Sequence, residues 1–309
     1  MPTFRLRSSE FAKKQLTKAQ ERRIRQIYEN SLKAIEERTK FLEGKDNISS
    51  GLRRVYLAEM KSEVNGILKN VGKEVEFTTK DTMYKVAESV VADSRKLLGT
   101  LGINANVAFS HVPQDIVRSI SSGNLYEGSW TLSKAVWKET VKHQKDIETI
   151  ISQDLALNKS TYDIAKDIEK YIDPKNLKPW DWSKVYPGTN KVVDYNAQRL
   201  ARTMASHAYQ QSLIRTTKDN PFFLGYEWLT SGSHVCEVCL DYETAVHADG
   251  FPPGVFPKDD VPLDHPNGKC TLAVYCTMDT DEIVEAIADW ANGGDNPELD
   301  DYLEFLENS

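Results

Sequence analysis

Cys236-Glu237-Val238-Cys239 and His265-Pro266-Asn267-Gly268-Lys269-Cys270 decide how the C-terminal third of this chain folds. A loop carrying Pro252, Pro253, Gly254, Pro257 and Pro262 separates them. Twenty-five residues stand between Cys239 and His265, and four more between His265 and Cys270. Zinc takes four thiolate or imidazole ligands at tetrahedral corners, sulfur at about 2.3 Å and nitrogen at about 2.0–2.1 Å. A Cys-x-x-Cys turn sets two sulfurs side by side, and His265 and Cys270 can close the other half. Such a loop has little core, so a metal cross-link supplies folding energy that side-chain burial does not. Four protein ligands leave no position for water, which makes the expected zinc structural. Cys276 is a rival fourth ligand, and His234 and His247 are rival imidazoles. An all-cysteine set of Cys236, Cys239, Cys270 and Cys276 stays open, as do reduced thiols packed in a strand pair.

Around these strings the sequence has the period of a strand pair. Gly225 to Thr230 alternates like a strand and runs into the turn Ser231-Gly232-Ser233. Cys270 to Cys276 reads as a short return strand, and Asp279 with Glu282 caps a last helix through Trp290. Upstream the period is helical. Ile24, Ile27, Tyr28, Leu32 and Ile35 form one stripe over roughly residues 10–43, and Gly44 to Ser50 breaks it. Tyr56 to Val71 and Met83 to Leu98 carry a second and a third stripe. Trp130 to Leu157, Ile164 to Tyr171 behind a Ser160/Asp163 cap, and Tyr195 to Lys218 continue the pattern. The expected fold class is mainly α: a helical N-terminal region with a small C-terminal α+β zinc-knuckle module. Along the chain this gives a helical region over 1–172 and a Pro/Trp-rich crossing segment over 173–194. The module-bearing domain follows over 195–292, then an acidic tail over 293–309.

Charge is divided between the ends. Residues 1–73 carry 17 Lys and Arg against 9 Asp and Glu, whereas residues 228–309 carry 2 against 18, a balance of −16. Opposite ends therefore suit partners of opposite character. Lys13, Lys14, Lys18, Arg22, Arg23 and Arg25 are candidate DNA contacts, gripping phosphate without reading bases. An ordinary basic amphipathic helix that binds protein gives the same pattern. All four cysteines fall after position 235, which is how an intracellular metal site looks rather than a disulfide framework. No run approaches the ~18 apolar residues of a transmembrane helix. Met1 to Glu10 has basic residues but no apolar core, which argues against a secretory signal and for a protein made in a cytoplasm.

The chain also resembles a known family. Ala201-Arg202-Thr203 opening a helix, Tyr226-Glu227-Trp228 on a strand, the Cys236/Cys239 pair and His265-Pro266-Asn267 before Cys270 stand in a familiar order. It is that of the Mu F-like head-morphogenesis domain of bacteriophage minor head proteins. The resemblance covers roughly residues 190–280, and the long helical N-terminal half is similar to full-length members. Met204 stands where many members have an acidic residue, and Gly268 where many have a cysteine, which points to Cys270 as the closing ligand. The resemblance implies a non-enzymatic capsid component of the virion, associated with the portal vertex. Its implied role is in head morphogenesis and in DNA packaging or DNA ejection. Portal, capsid or scaffold proteins are the implied partners, with double-stranded DNA touched through the basic N-terminal region. The implied location is the phage head, and the host cytoplasm during assembly.

A nuclease of the HNH type is the rival. Cys236-x-x-Cys239 followed by Asp264-His265-Pro266 echoes that class, with His265 as a general base beside a divalent metal. The echo stops there: no second Cys-x-x-Cys and no later histidine follow, and the acidic C-terminal region repels a phosphate backbone. A zinc-bearing adaptor unrelated to phages is the third reading.

Overall fold

Helical period in the first two-thirds of the chain folds as helices, and the stretches of strand period fold as sheet. The computed structural model describes residues 3–42, 50–126, 128, 130–157, 159–175, 194–231 and 235–308. In chain order these form β1 (Thr3–Phe4), α1 (Arg7–Leu42), α2 (Ser50–Thr100), α3 (Val112–Ser122), α4 (Leu132–Ala156), α5 (Thr161–Ile172) and α6 (Tyr195–Thr217). Then come β2 (Gly225–Leu229), α7 (Glu237–Thr244), β3 (Val255–Pro257), β4 (Thr271–Tyr275), α8 (Thr280–Ala291) and α9 (Pro297–Asn308). The chain is mainly helical, with a small antiparallel sheet built largely from its C-terminal third. Most of the expected crossing segment (176–193), and the Gly232–His234 stretch that holds one rival imidazole, lie outside the described residues.

Two of the apolar stripes prove to belong to one 51-residue helix, α2. Gly72, the one helix breaker between them, sits where α4 comes close: a Cβ there would stand 2.8 Å from Thr140 Oγ1. Val75, Thr79 and Thr82 are buried and carry the apolar face across the gap. Packing overrides the glycine's weak helix propensity.

Long-range packing sorts the chain into two interleaved units: Met1–Lys18, Lys80–Leu125 and Arg202–Ser309 in one, Ala19–Thr79 and Tyr126–Ala201 in the other. Helices α1, α2 and α6 each give a part to both. Among the described residues, the regular structure of the second unit is all helical. Ile35 of α1, Met60, Val64 and Leu68 of α2, Ile147 of α4, and Ile164, Ile168 and Ile172 of α5 form its core. Arg38 bridges Glu59 and Glu63 beside that core.

The first unit carries the sheet, ordered β1-β4-β2-β3 with every pair antiparallel. β4 (Thr-Leu-Ala-Val-Tyr) is buried along its whole length, as a central strand should be. β2 alternates, turning Tyr226 and Trp228 into the core and leaving Glu227 and Leu229 half-buried. Gly225 opens β2 because the Phe256 carbonyl of β3 lies 2.2 Å from where a Cβ would be. The expected cap of Asp279 with Glu282 is a reciprocal capping box on α8. The acidic C-terminus is a further helix, α9, whose Leu299, Tyr302 and Leu306 are buried.

Candidate metal centre

β2 and β4 pair in register from Gly225↔Tyr275 to Leu229↔Thr271, so Thr230 and Cys270 leave the ladder at the same end. The next element is α7, whose N-cap is Cys236 and whose third residue is Cys239. Both cysteines therefore stand at the N-terminal end of a helix. Thr230 holds α7 in place: its amide and hydroxyl both donate to the Glu243 carboxylate, at 3.1 and 2.8–2.9 Å. The Tyr242 ring packs on Trp228 at 4.9 Å and on Phe256 at 5.6 Å.

His265 reaches the same point from a tight turn. The Gly268 amide donates to the His265 carbonyl at 2.8 Å, with Pro266 next and Asn267 at φ 71°. Proline followed by a left-handed asparagine is the arrangement of a type II turn. The imidazole Nδ1 lies 3.1 Å from the Pro266 carbonyl and Nε2 lies 3.1 Å from Cys236 Sγ. A proton on Nδ1 bonded to that carbonyl leaves the Nε2 lone pair directed at the sulfurs, the tautomer a metal needs.

One face of α6 anchors this turn. Thr203 Oγ1 accepts the Asn267 amide at 2.8 Å, Ser206 Oγ donates to Asp264 Oδ2 at 2.9 Å, and His207 Nε2 meets the Asp264 carbonyl at 2.7 Å. Gln210 Oε1 accepts the Asp264 amide at 2.9 Å. The spacing i, i+3, i+4, i+7 puts all four on one line. Burial pushes the His207 imidazole toward its neutral form.

The donor atoms form two triads. Cys236 Sγ, Cys239 Sγ and His265 Nε2 lie within 4.8 Å of one another, and so do Cys239 Sγ, Cys270 Sγ and an Asp264 carboxylate oxygen. Cys239 belongs to both, and its sulfur stands 3.3 Å from that of Cys270. In a tetrahedron with ~2.3 Å sulfur bonds the edges are about 3.6–3.8 Å. The observed 3.1 and 3.3 Å contacts come within roughly half an ångström of that. Burial pushes the Cys239 and Cys270 thiols up, while the Ser231 amide and the Trp228 indole act the other way on Cys270. The Trp228 indole nitrogen is buried with no hydrogen-bond partner among the described residues. Three thiols and a correctly presented imidazole are a donor set that fits a metal ion. Cys236, Cys239, His265 and Cys270 can hold one. No family model, curated protein or solved structure matches this chain.

Two of the rival ligands, Cys276 and His247, lie elsewhere. Cys276 is at the far end of β4, roughly 20 Å along the strand from Cys270, and its thiol donates to the Phe222 carbonyl at 2.8 Å. That corrects the possible Cys276 ligand: a strand of this length carries the two sulfurs apart. His247 stacks on Phe256 with ring centroids 3.7 Å apart, and its Nε2 contacts the Tyr242 carbonyl at 2.8 Å.

Lys13 leaves the set of candidate DNA contacts. It is 8% exposed, lies over the Tyr209 ring at 4.6 Å, and donates from Nζ to the Cys270 carbonyl at 3.0 Å. Burial lowers its pKa to about 8. Lys14, Lys18, Arg22, Arg23 and Arg25 are exposed on α1, though Arg23 approaches Glu74 at 3.6 Å and Arg25 approaches Asp194 at 3.4 Å. Ser206, His207 and Gln210 are not among the residues that the sequence singles out, and Thr203 and Asp264 stand there only within motifs, not as parts of an anchor. Their one signal is a polar stripe at helical spacing. Ala201-Arg202-Thr203 does not open a helix, because α6 begins at Tyr195; it contributes the anchor Thr203.

Gly268 also has a reason of its own. A Cβ there would stand 1.9–2.2 Å from the Asp264 carboxylate, so no side chain fits while that carboxylate is in place. Gly268→Ala is expected to displace Asp264 or open the turn and to weaken metal retention about 10–100-fold, measured by chelator competition. Unchanged retention would show that the turn and the carboxylate are not needed.

Proposed function

We propose that this chain is a bacteriophage minor head protein of the Mu F-like head-morphogenesis type. On this reading it is a non-enzymatic virion component that associates with the portal vertex, and its metal is structural zinc. The observation that carries the proposal is the convergence of Cys236, Cys239 and His265, with Cys270 against Cys239, at the open end of the β2–β4 pair. These are the residues that the family's ordered motifs supply, and they sit in a segment with little apolar core. Zinc fits the set because thiolate and imidazole ligands suit a borderline-soft ion with no geometric preference of its own. Both nitrogens of His265 have partners inside the module, a role for a ligand rather than for a base facing substrate water. The test is composition: mass spectrometry of purified particles of the encoding phage should find this chain at low copy number. Its absence from particles that contain portal protein would overturn the proposal.

The basic N-terminal helix supports contact with packaged DNA. Lys14, Lys18 and Arg22 recur every four residues, which lines them along one exposed face of α1. Binding through them carries no base readout and falls steeply with salt. Replacing all three with Ala is expected to reduce the slope of log affinity against log salt by up to about 3, at ~0.9 per phosphate contact. Fluorescence anisotropy on a random duplex measures it. Lys13→Met is the matched control and should leave the slope unchanged, since that ammonium is spent inside the protein. Equal slopes for the triple variant and the parent would remove DNA from the list of partners.

A further inference from the structure

We infer that Asp264 is itself a ligand of the metal, a donor beyond the three cysteines and His265. The inference rests on the metal-centre reading above and adds a residue to it. Asp264 is 2% exposed, and a carboxylate oxygen lies within 4.8 Å of both Cys239 Sγ and Cys270 Sγ. One oxygen, Oδ2, accepts from Ser206; the other, Oδ1, is fully buried and meets no donor among the described residues. A buried carboxylate oxygen with nothing to bond is costly, and such groups in folded proteins are paired or bound to metal. The buried Lys13 ammonium donates to the Cys270 carbonyl, and no hydrogen bond from it reaches Oδ1.

The surroundings hold this carboxylate firmly in place. The backbone of residue 264 is fixed at both ends, its amide by Gln210 and its carbonyl by His207. Gly268 leaves the space that the carboxylate fills. Such over-determination is what a metal ligand needs and what an idle acidic side chain does not require. Sulfur, nitrogen and oxygen donors together select a borderline divalent ion over Cu(I), which prefers sulfur alone.

X-ray absorption at the zinc edge tests this on the full zinc-loaded chain and on Asp264→Asn, whose amide oxygen can still accept from Ser206. The parent is expected to show three sulfurs at about 2.3 Å and two nitrogen or oxygen neighbours at about 2.0–2.2 Å. Asp264→Asn should lose one light neighbour and keep the sulfurs. Three sulfurs and one light neighbour in both proteins would overturn the inference and leave the four-ligand reading standing. Should Asp264→Asn fail to fold, Asp264→Ser is read in its place, and a parent ratio of 3:1 overturns the inference without a variant. A chain that takes up no zinc would fail the metal-centre reading itself, and this inference with it.

Discussion

Replacing Cys239 with Ser is expected to release the metal and unfold the segment between Thr230 and Cys270. Cys239 is the donor common to both triads, so its loss breaks each of them. Beyond the metal, polar contacts and the short β2–β3 pairing hold the segment, with few apolar side chains to help. Between Thr230 and Cys270 the buried apolar side chains are Cys239, Val255, Phe256 and Cys270, while Val235, Val238, Leu240 and Val246 are exposed. Structural zinc contributes about 10–16 kcal/mol in small zinc-dependent peptides, more than the ~2 kcal/mol that one buried aliphatic side chain supplies. Limited proteolysis is the readout: cleavage sites should appear within residues 235–269 in Cys239→Ser, and in the parent after chelation. Helical circular dichroism should change little, because that segment contributes only the eight residues of α7. Equal protease resistance with and without metal would contradict the expectation. The pH dependence has a definite sign. Cys239 and Cys270 are pushed above the usual thiol range by burial, so metal capture displaces protons from them and apparent affinity falls as pH falls.

Trp228→Ala is expected to cost about 3–5 kcal/mol, the usual penalty for emptying a large core site. Trp228 is 1% exposed and is the largest fully buried side chain among the described residues. It joins the β2 ladder to the Tyr242 ring of α7. Its loss removes the packing that seats α7 and its two cysteines, so metal retention should fall along with stability. Denaturant unfolding with zinc in excess reads the first effect and chelator competition the second. The exposed Trp137, half of whose surface meets solvent, is the control and should cost under about 0.5 kcal/mol. A small effect at Trp228 would mean the cluster is held by something other than the sheet.

Much of this was legible in the sequence, and what was not has physical causes. The Cys/His strings, the β2–β4 pair and the α8 capping box are local patterns, and local patterns survive in a linear reading. Lys13 is the opposite case. Nothing within α1 distinguishes it from Lys14; it is buried because its ammonium meets a carbonyl 257 residues away. β1 is only two residues long and exists because β4 has a free edge to pair with. The line Thr203, Ser206, His207 and Gln210 looks like a solvated helix face until the loop at 264–267 is laid against it. Cys276 stood as a rival ligand because spacing alone cannot tell a sulfur across a turn from one at the far end of a strand. α9 has a strongly acidic sequence, yet Leu299, Tyr302 and Leu306 fall at helical spacing and are buried.

Native mass spectrometry of the full chain tests the central claim most directly. The intact protein should carry one zinc ion per chain, and Cys236→Ser, Cys239→Ser, His265→Ala and Cys270→Ser should each abolish or sharply reduce zinc retention, while Cys276→Ser keeps it. A folded, metal-free parent, or retention that depends on Cys276 and not on His265, would contradict the account.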